Sequence, residues 1–373
     1  MTDPHLCTPS GAPRARALGI PFDGSPGRWN AITDVPGVEV GYETLVMGND
    51  VRTGVTAIHP RGAGGAGDPV TAGFHSQNGN GEMTGVSWIE ETGTFSGPVA
   101  ITNTHAVGVA HAAIISWTVR HHPRLADMWL LPVAAETWDG YLSDVNGHHV
   151  TEDTVLRALE SAASGPIEEG SVGGGTGMTC YGFKGGSGTA SRVVPYGAGQ
   201  FTVGAFVQAN FGARHELRIA GVPLGAELRA DDPMSAEPIP PPGAGSVIAV
   251  VATDAPLLGQ QCKALARRAT LGIARTGTSG SHFSGDLFLA FSTGNPGAIT
   301  PGACADDGRL DVLRFVRFGL LDPLFEAAVQ SVEEAVLNAL VANREMVGRQ
   351  GRRVPALPRE QVAQFIAQRI RRS

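Results

Sequence analysis

Period-two alternation and short apolar runs dominate this chain, and helical spacing is confined to a few longer segments. Gly37-Val-Glu-Val-Gly41 alternates after the turn at Pro36, and residues 53–59, Thr-Gly-Val-Thr-Ala-Ile-His, form a second such run. Both predict strands. Val86 to Glu90 reads as another strand, and Pro98-Val-Ala-Ile-Thr102 as a short buried one. Phe201 to Gln208 alternates, and His215 to Ile219 is expected to pair with it. Ser246-Val-Ile-Ala-Val-Val-Ala-Thr253 and Asp286-Leu-Phe-Leu-Ala-Phe-Ser292 are nearly continuous apolar runs of strand length, as expected for strands buried on both faces.

Helical spacing appears elsewhere. His105 to His121 lacks proline and is rich in Ala, Val and Ile, which predicts a buried helix. Thr151 is a suitable N-cap for a helix over Glu152 to Ala163, with Val155, Leu156 and Leu159 on one face. Leu258, Cys262, Leu265 and Ile273 lie near helical spacing, with Lys263, Arg267 and Arg268 on other faces. Leu324 to Asn343 predicts a strong amphipathic helix, and a last one runs from about Arg359 to Arg371. Residues 1–20 read as a loose polar arm, and residues 227–245, with two adjacent aspartates and five prolines, as an exposed linker. Strands and helices are mixed throughout and no repeat is visible, so the fold class is an α/β or α+β sandwich.

Composition narrows the function classes. The chain has 373 residues, 42% of them hydrophobic and 17% charged, as in a soluble globular enzyme. Its net charge is −7, and no basic block precedes the C-terminal Arg-Ile-Arg-Arg, which argues against nucleic acid as a partner. No apolar run approaches the ~18 residues of a membrane span. Cys7, Cys180, Cys262 and Cys304 are too scattered for a zinc site or a disulfide framework, so a cytoplasmic protein with reduced thiols is expected. The glycine-dense stretch from Ser171 to Gly188 has neither the spacing of a phosphate loop nor that of a dinucleotide fingerprint. No HExxH occurs, and His105 and His111 have no supporting carboxylate pattern. Neither a cofactor nor a metal is expected.

The junction Gly245-Ser246 is the most informative point for chemistry. A proline-rich stretch, Glu237-Pro-Ile-Pro-Pro-Pro-Gly-Ala-Gly245, ends where a buried strand begins with a hydroxyl residue. If that bond is cut, Ser246 becomes an N-terminus whose own α-amine lies beside its hydroxyl, so one residue supplies nucleophile and base. Otherwise Ser246 simply opens a strand after a linker. Asn210 ends the Phe201–Gln208 strand, where its amide can donate to an oxyanion or serve as an ordinary turn residue. Ser284 and Asp286 share a strand face by period two and can relay a proton or orient an amine; the alternative is a turn with side-chain hydrogen bonds. Glu136 follows a bulky apolar run and is a candidate for binding a substrate ammonium, with Trp138 walling the pocket, or else a helix cap beside a packing tryptophan. His282, a lone loop histidine, is discounted as a base.

Taken together, these segments resemble the DmpA family of self-processing aminopeptidases, the L-aminopeptidase/D-esterases and β-aminopeptidases. The resemblance is carried by Asn30-Ala-Ile-Thr-Asp-Val-Pro-Gly-Val-Glu-Val-Gly41, Asn78-Gly-Asn-Gly-Glu-Met-Thr-Gly85, Ile101-Thr-Asn-Thr-His-Ala-Val-Gly108 and Phe183-Lys-Gly-Gly-Ser-Gly-Thr-Ala-Ser-Arg192. Its most specific part is Gly245-Ser246-Val-Ile-Ala-Val-Val-Ala-Thr-Asp-Ala-Pro-Leu257. The resemblance implies a single four-layer αββα domain, like the N-terminal nucleophile hydrolases but with its own connectivity. It implies self-cleavage between Gly245 and Ser246 into a 1–245 and a 246–373 subunit, and a tetramer of processed units. By position, Ser246 matches the nucleophile, Asn210 the oxyanion asparagine, Ser284 the assisting hydroxyl, Asp286 the acidic residue beyond it, and Glu136 the carboxylate that meets the substrate amine. Some members carry Tyr where Trp138 stands, so a hydroxyl that could help the oxyanion is absent here. The expected substrate is a small peptide, amide or ester. Two other readings stay open: an acyl transfer or hydrolysis on a non-peptide amide, and an uncleaved binding protein.

Overall fold

The computed structural model describes residues 3–235, 244–300, 308 and 310–370. Strands β1 (Glu39–Met47) and β2 (Val51–His59) form an antiparallel hairpin. Then come β3 (Val70–Gly79), helix α1 (Val86–Thr92), β4 (Thr94–Phe95), β5 (Val99–Asn103), α2 (Val107–His121), β6 (Val133–Thr137) and α3 (Glu152–Glu160). A small hairpin, β7 (Thr179–Cys180) and β8 (Phe183–Lys184), precedes a long one, β9 (Gly186–Tyr196) and β10 (Gly199–Asn210). After the short α4 (Leu224–Glu227) follow β11 (Gly245–Thr253), α5 (Gly259–Arg275), β12 (Ser284–Ser292) and α6 (Asp322–Val341). The hairpin of β13 (Met346–Val347) and β14 (Arg353–Val354) and helix α7 (Arg359–Ile370) close the chain.

The two main sheets are β1-β2-β5-β6 and β4-β3-β12-β11-β10-β9. They face each other and carry helices on their outer sides, which makes the four-layer αββα sandwich. Period two along β11 shows how the sequence builds it. Ile248, Val250 and Ala252 point between the sheets, with Phe206, Leu289 and Phe291 beside them and Ile58, Val99 and Ile101 of the opposite sheet across from them. Val247, Ala249 and Val251 point outward and pack with Leu265 and Ala269 of α5 and Val332 and Ala335 of α6. On the far side Val55, Ala57, Ala100 and Ala134 pack against Ala113, Ile114 and Trp117 of α2 and Val155 and Leu159 of α3. Close approach is needed where α6 crosses β9: a Cβ on Gly188 would lie 2.8 Å from Ala339 N.

Three sequence expectations are corrected. Val86 to Glu90 is helical, within α1, and not a strand. His215 to Ile219 does not pair with β10; a 3₁₀ turn spans Arg214–Glu216, and Ile219 bonds back to Val222. Residues 3–20 are no loose arm: Arg14 is buried and ion-pairs with buried Glu169 at 2.7 Å, while Ala15 and Ile20 join the core. Of the expected linker, residues 236–243 lie outside the described residues. Its first part is anchored, because the Arg214 guanidinium donates to the carbonyls of Leu228 (2.7 Å), Ala230 (3.1 Å) and Asp231 (3.3 Å). Among the described residues, no helix is long and apolar enough to cross a membrane.

Candidate active site

Three neighbouring strand ends and one strand of the opposite sheet meet at the Gly245-Ser246 junction. β11 starts there, antiparallel to β10 with Ser246 opposite Asn210, and parallel to β12 with Gly245 beside Ser284 and Ser246 beside Gly285. β6 of the other sheet ends just across from them and runs on into Trp138. The Ser246 side chain shares the strand face of Ile248 and so points between the sheets.

There it meets two donors. The Trp138 backbone N–H donates to Ser246 Oγ at 3.0 Å, and the Asn210 Nδ2 donates to it at 3.4 Å. Asn210 is fixed at both ends: its Nδ2 also donates to the Trp138 carbonyl at 2.9 Å, and its Oδ1 accepts from the Thr179 N–H at 2.8 Å. The Thr179 bond settles which end of the amide faces the serine. Ser246 is only 2% exposed and Asn210 6%. Two N–H groups held on a buried hydroxyl stand beside the carbonyl oxygen that becomes an oxyanion when that hydroxyl attacks, and can turn to it as the hydroxyl oxygen becomes bonded to carbon. The Trp138 indole folds over its own chain; a Cβ on Gly140 would lie 2.5–2.8 Å from three of its ring atoms. The indole packs against the buried cluster of Tyr141, Leu142 and Val354.

Ser284 and Asp286 form a second group. Ser284 Oγ donates to Asp286 Oδ1 at 2.5 Å, and Asn78 Nδ2 donates to Asp286 Oδ2 at 2.9 Å. Register puts both side chains on the face of Gly245 and Val247, opposite to the Ser246 hydroxyl. Neither hydrogen-bonds to Ser246. Gly245 has no side chain on that face, so Ser284 lies alongside the backbone of the junction. Burial raises the Asp286 pKa above the ordinary carboxylate range, against the lowering effect of the Ser284 and Asn78 hydrogen bonds.

Glu136 lies at the end of β6, 2% exposed. Its Oε1 accepts from the Glu82 N–H at 3.0 Å and its Oε2 from the Thr104 hydroxyl. A Cβ on Gly81 would sit 3.0 Å from Glu136 Oε1 and 3.3 Å from Gly285 Cα, so the loop 79–82 bridges this carboxylate and the start of β12. Burial raises the Glu136 pKa, and the Thr104 and Glu82 hydrogen bonds and nearby His105 oppose that rise. No bond joins Glu136 to Ser246.

The structure thus brings Ser246, Asn210 and Trp138 into direct contact and keeps the Ser284–Asp286 pair and Glu136 as flanking groups. His282 takes no part in this hydrogen bonding. Several participants carry no signature in the sequence: the N–H groups of Trp138 and Thr179, the Thr104 hydroxyl and the Asn78 amide. The Asn78-Gly-Asn-Gly stretch is the nearest signal for the last.

Residues 30–354 match peptidase family S58. The chain is 48% identical to the "Beta-peptidyl aminopeptidase BapA" of Sphingosinicella microcystinivorans over 368 residues, covering 93% of this chain and 90% of that one. It is 44% identical to the protein of the same name from Sphingosinicella xenopeptidilytica, covering 96% and 92%. Among solved structures it resembles the L-aminopeptidase D-Ala-esterase/amidase of Ochrobactrum anthropi, described as a prototype of the serine aminopeptidases and a variant among the Ntn hydrolase fold. That likeness has a TM-score of 0.88 at 47% identity over 96% of this chain and 99% of that one. A Burkholderia sp. β-aminopeptidase gives 0.86 at 46% identity over 95% and 98%. With this match over most of its length and a serine set between two N–H donors at a strand start, the chain belongs to peptidase family S58 and is a serine aminopeptidase of the Ntn-hydrolase type.

Proposed function

We propose that the chain cuts itself between Gly245 and Ser246 and that the resulting Ser246 releases the N-terminal residue of small peptides, amides or esters. The observation that carries this reading is the convergence of the Trp138 N–H and the Asn210 amide on Ser246 Oγ. In the self-cleavage, Ser246 Oγ attacks the Gly245 carbonyl carbon, the Gly245 C–N bond breaks, and the Ser246 nitrogen takes the proton. Water then hydrolyses the ester, leaving 1–245 and 246–373. In turnover the freed α-amine, with a pKa near ~7.7–8.0, takes the Ser246 hydroxyl proton as Oγ attacks the substrate carbonyl. The two N–H donors stabilise the oxyanion, the leaving amine departs with that proton, and water resolves the acyl-enzyme.

Ser284, paired with Asp286 beside the junction, positions the new amine and steers its proton. Glu136 binds the substrate's ammonium, which makes a free N-terminus a requirement; N-acetylated peptides are then poor substrates. Three of the relatives above are named for β-peptidyl or β-amino substrates, and we extend to this chain an acceptance of N-terminal β-amino residues. Buried, unpaired Cys180 and Cys262, with pKa values pushed up to about 12 by burial, support a reducing, cytoplasmic location. Exposed Trp129, Leu310 and Val312 support assembly into a homo-oligomer, the tetramer of processed units, which sedimentation tests.

Two variants test the core of the proposal. Ser246→Ala stays full-length on a denaturing gel and inactive. Asn210→Ala lowers kcat by roughly 10²–10³-fold, with KM much less affected, because the donor is aimed at charge that appears only in the transition state. Active wild-type protein with an uncut junction refutes the maturation, and a normal kcat in Asn210→Ala with a lowered melting temperature removes Asn210 from the site. A panel of L-Ala, D-Ala, Gly and β-homo-amino-acid amides reads the substrate class.

A further inference from the structure

Lys184 is fully buried, and among the described residues no carboxylate pairs with it. Its ammonium instead donates to three backbone carbonyls: Gly185 at 2.7 Å, Met178 at 2.8 Å and Gly175 at 3.5 Å. Burial lowers its pKa to about 7, against an opposing effect of Cys180. A buried amine without a counter-charge costs folding free energy, so its place in the fold asks for a compensating use.

The carbonyl at 2.8 Å identifies one. The peptide group joining Met178 to Thr179 has its oxygen held by Lys184 Nζ and by the Gly185 N–H at 2.9 Å. The N–H of the same peptide group donates to Asn210 Oδ1 at 2.8 Å. Thr179 and Lys184 are themselves cross-strand partners in the β7–β8 hairpin. An unbroken line of hydrogen bonds therefore runs from the ammonium through one peptide unit and the Asn210 amide to Ser246 Oγ. Each donor in such a line polarises the next, and the first strengthens those that follow most while the Lys184 amine is protonated.

We propose that Lys184 is a positioning residue for the oxyanion donor: it fixes and polarises the Met178–Thr179 peptide, which in turn holds the Asn210 amide with its N–H toward Ser246. The proposal rests on the reading of Asn210 as that donor. Lys184 touches neither substrate nor nucleophile, so its effect is carried wholly by Asn210. Replacing the amine with an apolar chain of similar length leaves the Met178 carbonyl held by the Gly185 N–H alone, so the 178–179 peptide can tilt, and a misplacement of this kind far from the chemistry can cost up to ~10²-fold in rate.

The test is a double-mutant cycle on self-processed protein, with Lys184→Met, Asn210→Ala and the double variant, reading kcat, KM and melting temperature. Lys184→Met is expected to lower kcat by roughly 10-fold or more with KM within about twofold, and to have no further effect on kcat in the Asn210→Ala background. A lower melting temperature with unchanged kcat overturns the proposal and leaves Lys184 a structural residue. An equal loss of kcat in both backgrounds also overturns it, since Lys184 then acts on something other than Asn210. A normal kcat in Asn210→Ala alone refutes the reading beneath it, whatever Lys184→Met does. Should Lys184→Met not fold, Lys184→Gln, which keeps a neutral donor, is carried through the same cycle, with a smaller loss of kcat expected and the same dependence on Asn210.

Discussion

Gly245→Ala separates self-cleavage from catalysis, and its size follows from the start of β11. Gly245 has no positive φ, so alanine meets no backbone strain there. The obstacle is contact. A Cβ on Gly245 would overlap the Asn210 carbonyl oxygen and lie 3.0 Å from Asn210 C and 3.1 Å from Phe211 Cα. Favourable carbon–carbon separations begin near ~3.5 Å, and the partners are all backbone, so the strand start itself must move away from the end of β10, by on the order of 1 Å. Asn210 is at once the residue struck and the donor to Ser246 Oγ. The displacement therefore misaligns the Gly245 carbonyl, the Ser246 hydroxyl and the Asn210 amide together, and a 1 Å error in a reacting geometry costs about 10²-fold.

The assay is a denaturing-gel time course of freshly made protein, with wild type run in parallel. The variant is expected to accumulate as the full-length chain and to yield the 1–245 and 246–373 fragments about 10²-fold more slowly. Once cut, residue 245 is no longer tied to Ser246 and the clash relaxes. Activity per mole of the 246–373 fragment is then close to wild type. Cleavage at the wild-type rate would refute the reasoning, because it would mean that the packing of Gly245 on Asn210 does not set the reacting geometry. Slow cleavage together with low activity per cut fragment would place the damage in the mature site instead.

Two further outcomes follow from buried carboxylates. Thr104→Val removes the hydroxyl that stabilises charged Glu136, so a pKa already raised by burial rises further; the acid limb of kcat/KM should move to higher pH with kcat at the plateau little changed, and an unmoved limb counts against Glu136 as the ammonium site. Asp139 is fully buried, and burial pushes its pKa up to about 7 against the lowering effect of the neighbouring Thr53 and Asn103 side chains. Its raised pKa means that stability is greatest while the group is protonated in both states and falls as pH rises from about 4 to about 7, by on the order of 4 kcal/mol at full effect; Asp139→Asn should flatten that fall and raise the denaturation midpoint at pH 8 more than at pH 4, and parallel midpoints at the two pH values would show that the carboxyl is accommodated as an anion.

What the sequence discloses about this molecule depends on whether a feature lives in side-chain pattern or in backbone placement. β10, β11 and β12 are legible because each is buried on two faces and has the length of a strand. α1 is not, because Val86, Trp88 and Glu90 alternate over five residues while the contacts that decide the matter follow a different period: Ile89 is buried, three residues after Val86, and Trp88 is 45% exposed. Five residues cannot separate the two periods. The segment 3–20 looks loose because its polar residues find partners far along the chain, Arg14 with Glu169 and Arg16 with Glu334. The site divides the same way. Ser246, Asn210, Ser284, Asp286 and Glu136 are chemically suggestive residues at predicted strand ends, and a resemblance gathers them. The geometry that makes Ser246 special is supplied by the Trp138 N–H, which any residue but proline would provide at that position, and by the Thr179 N–H that orients Asn210. Lys184 is harder still to see, since a lysine among glycines reads as exposed until burial is known. Side chains name the chemistry in this fold, but the peptide groups at the ends of β6 and β7 aim it, so substitutions that shift those backbone segments should damage catalysis while leaving every recognisable motif intact.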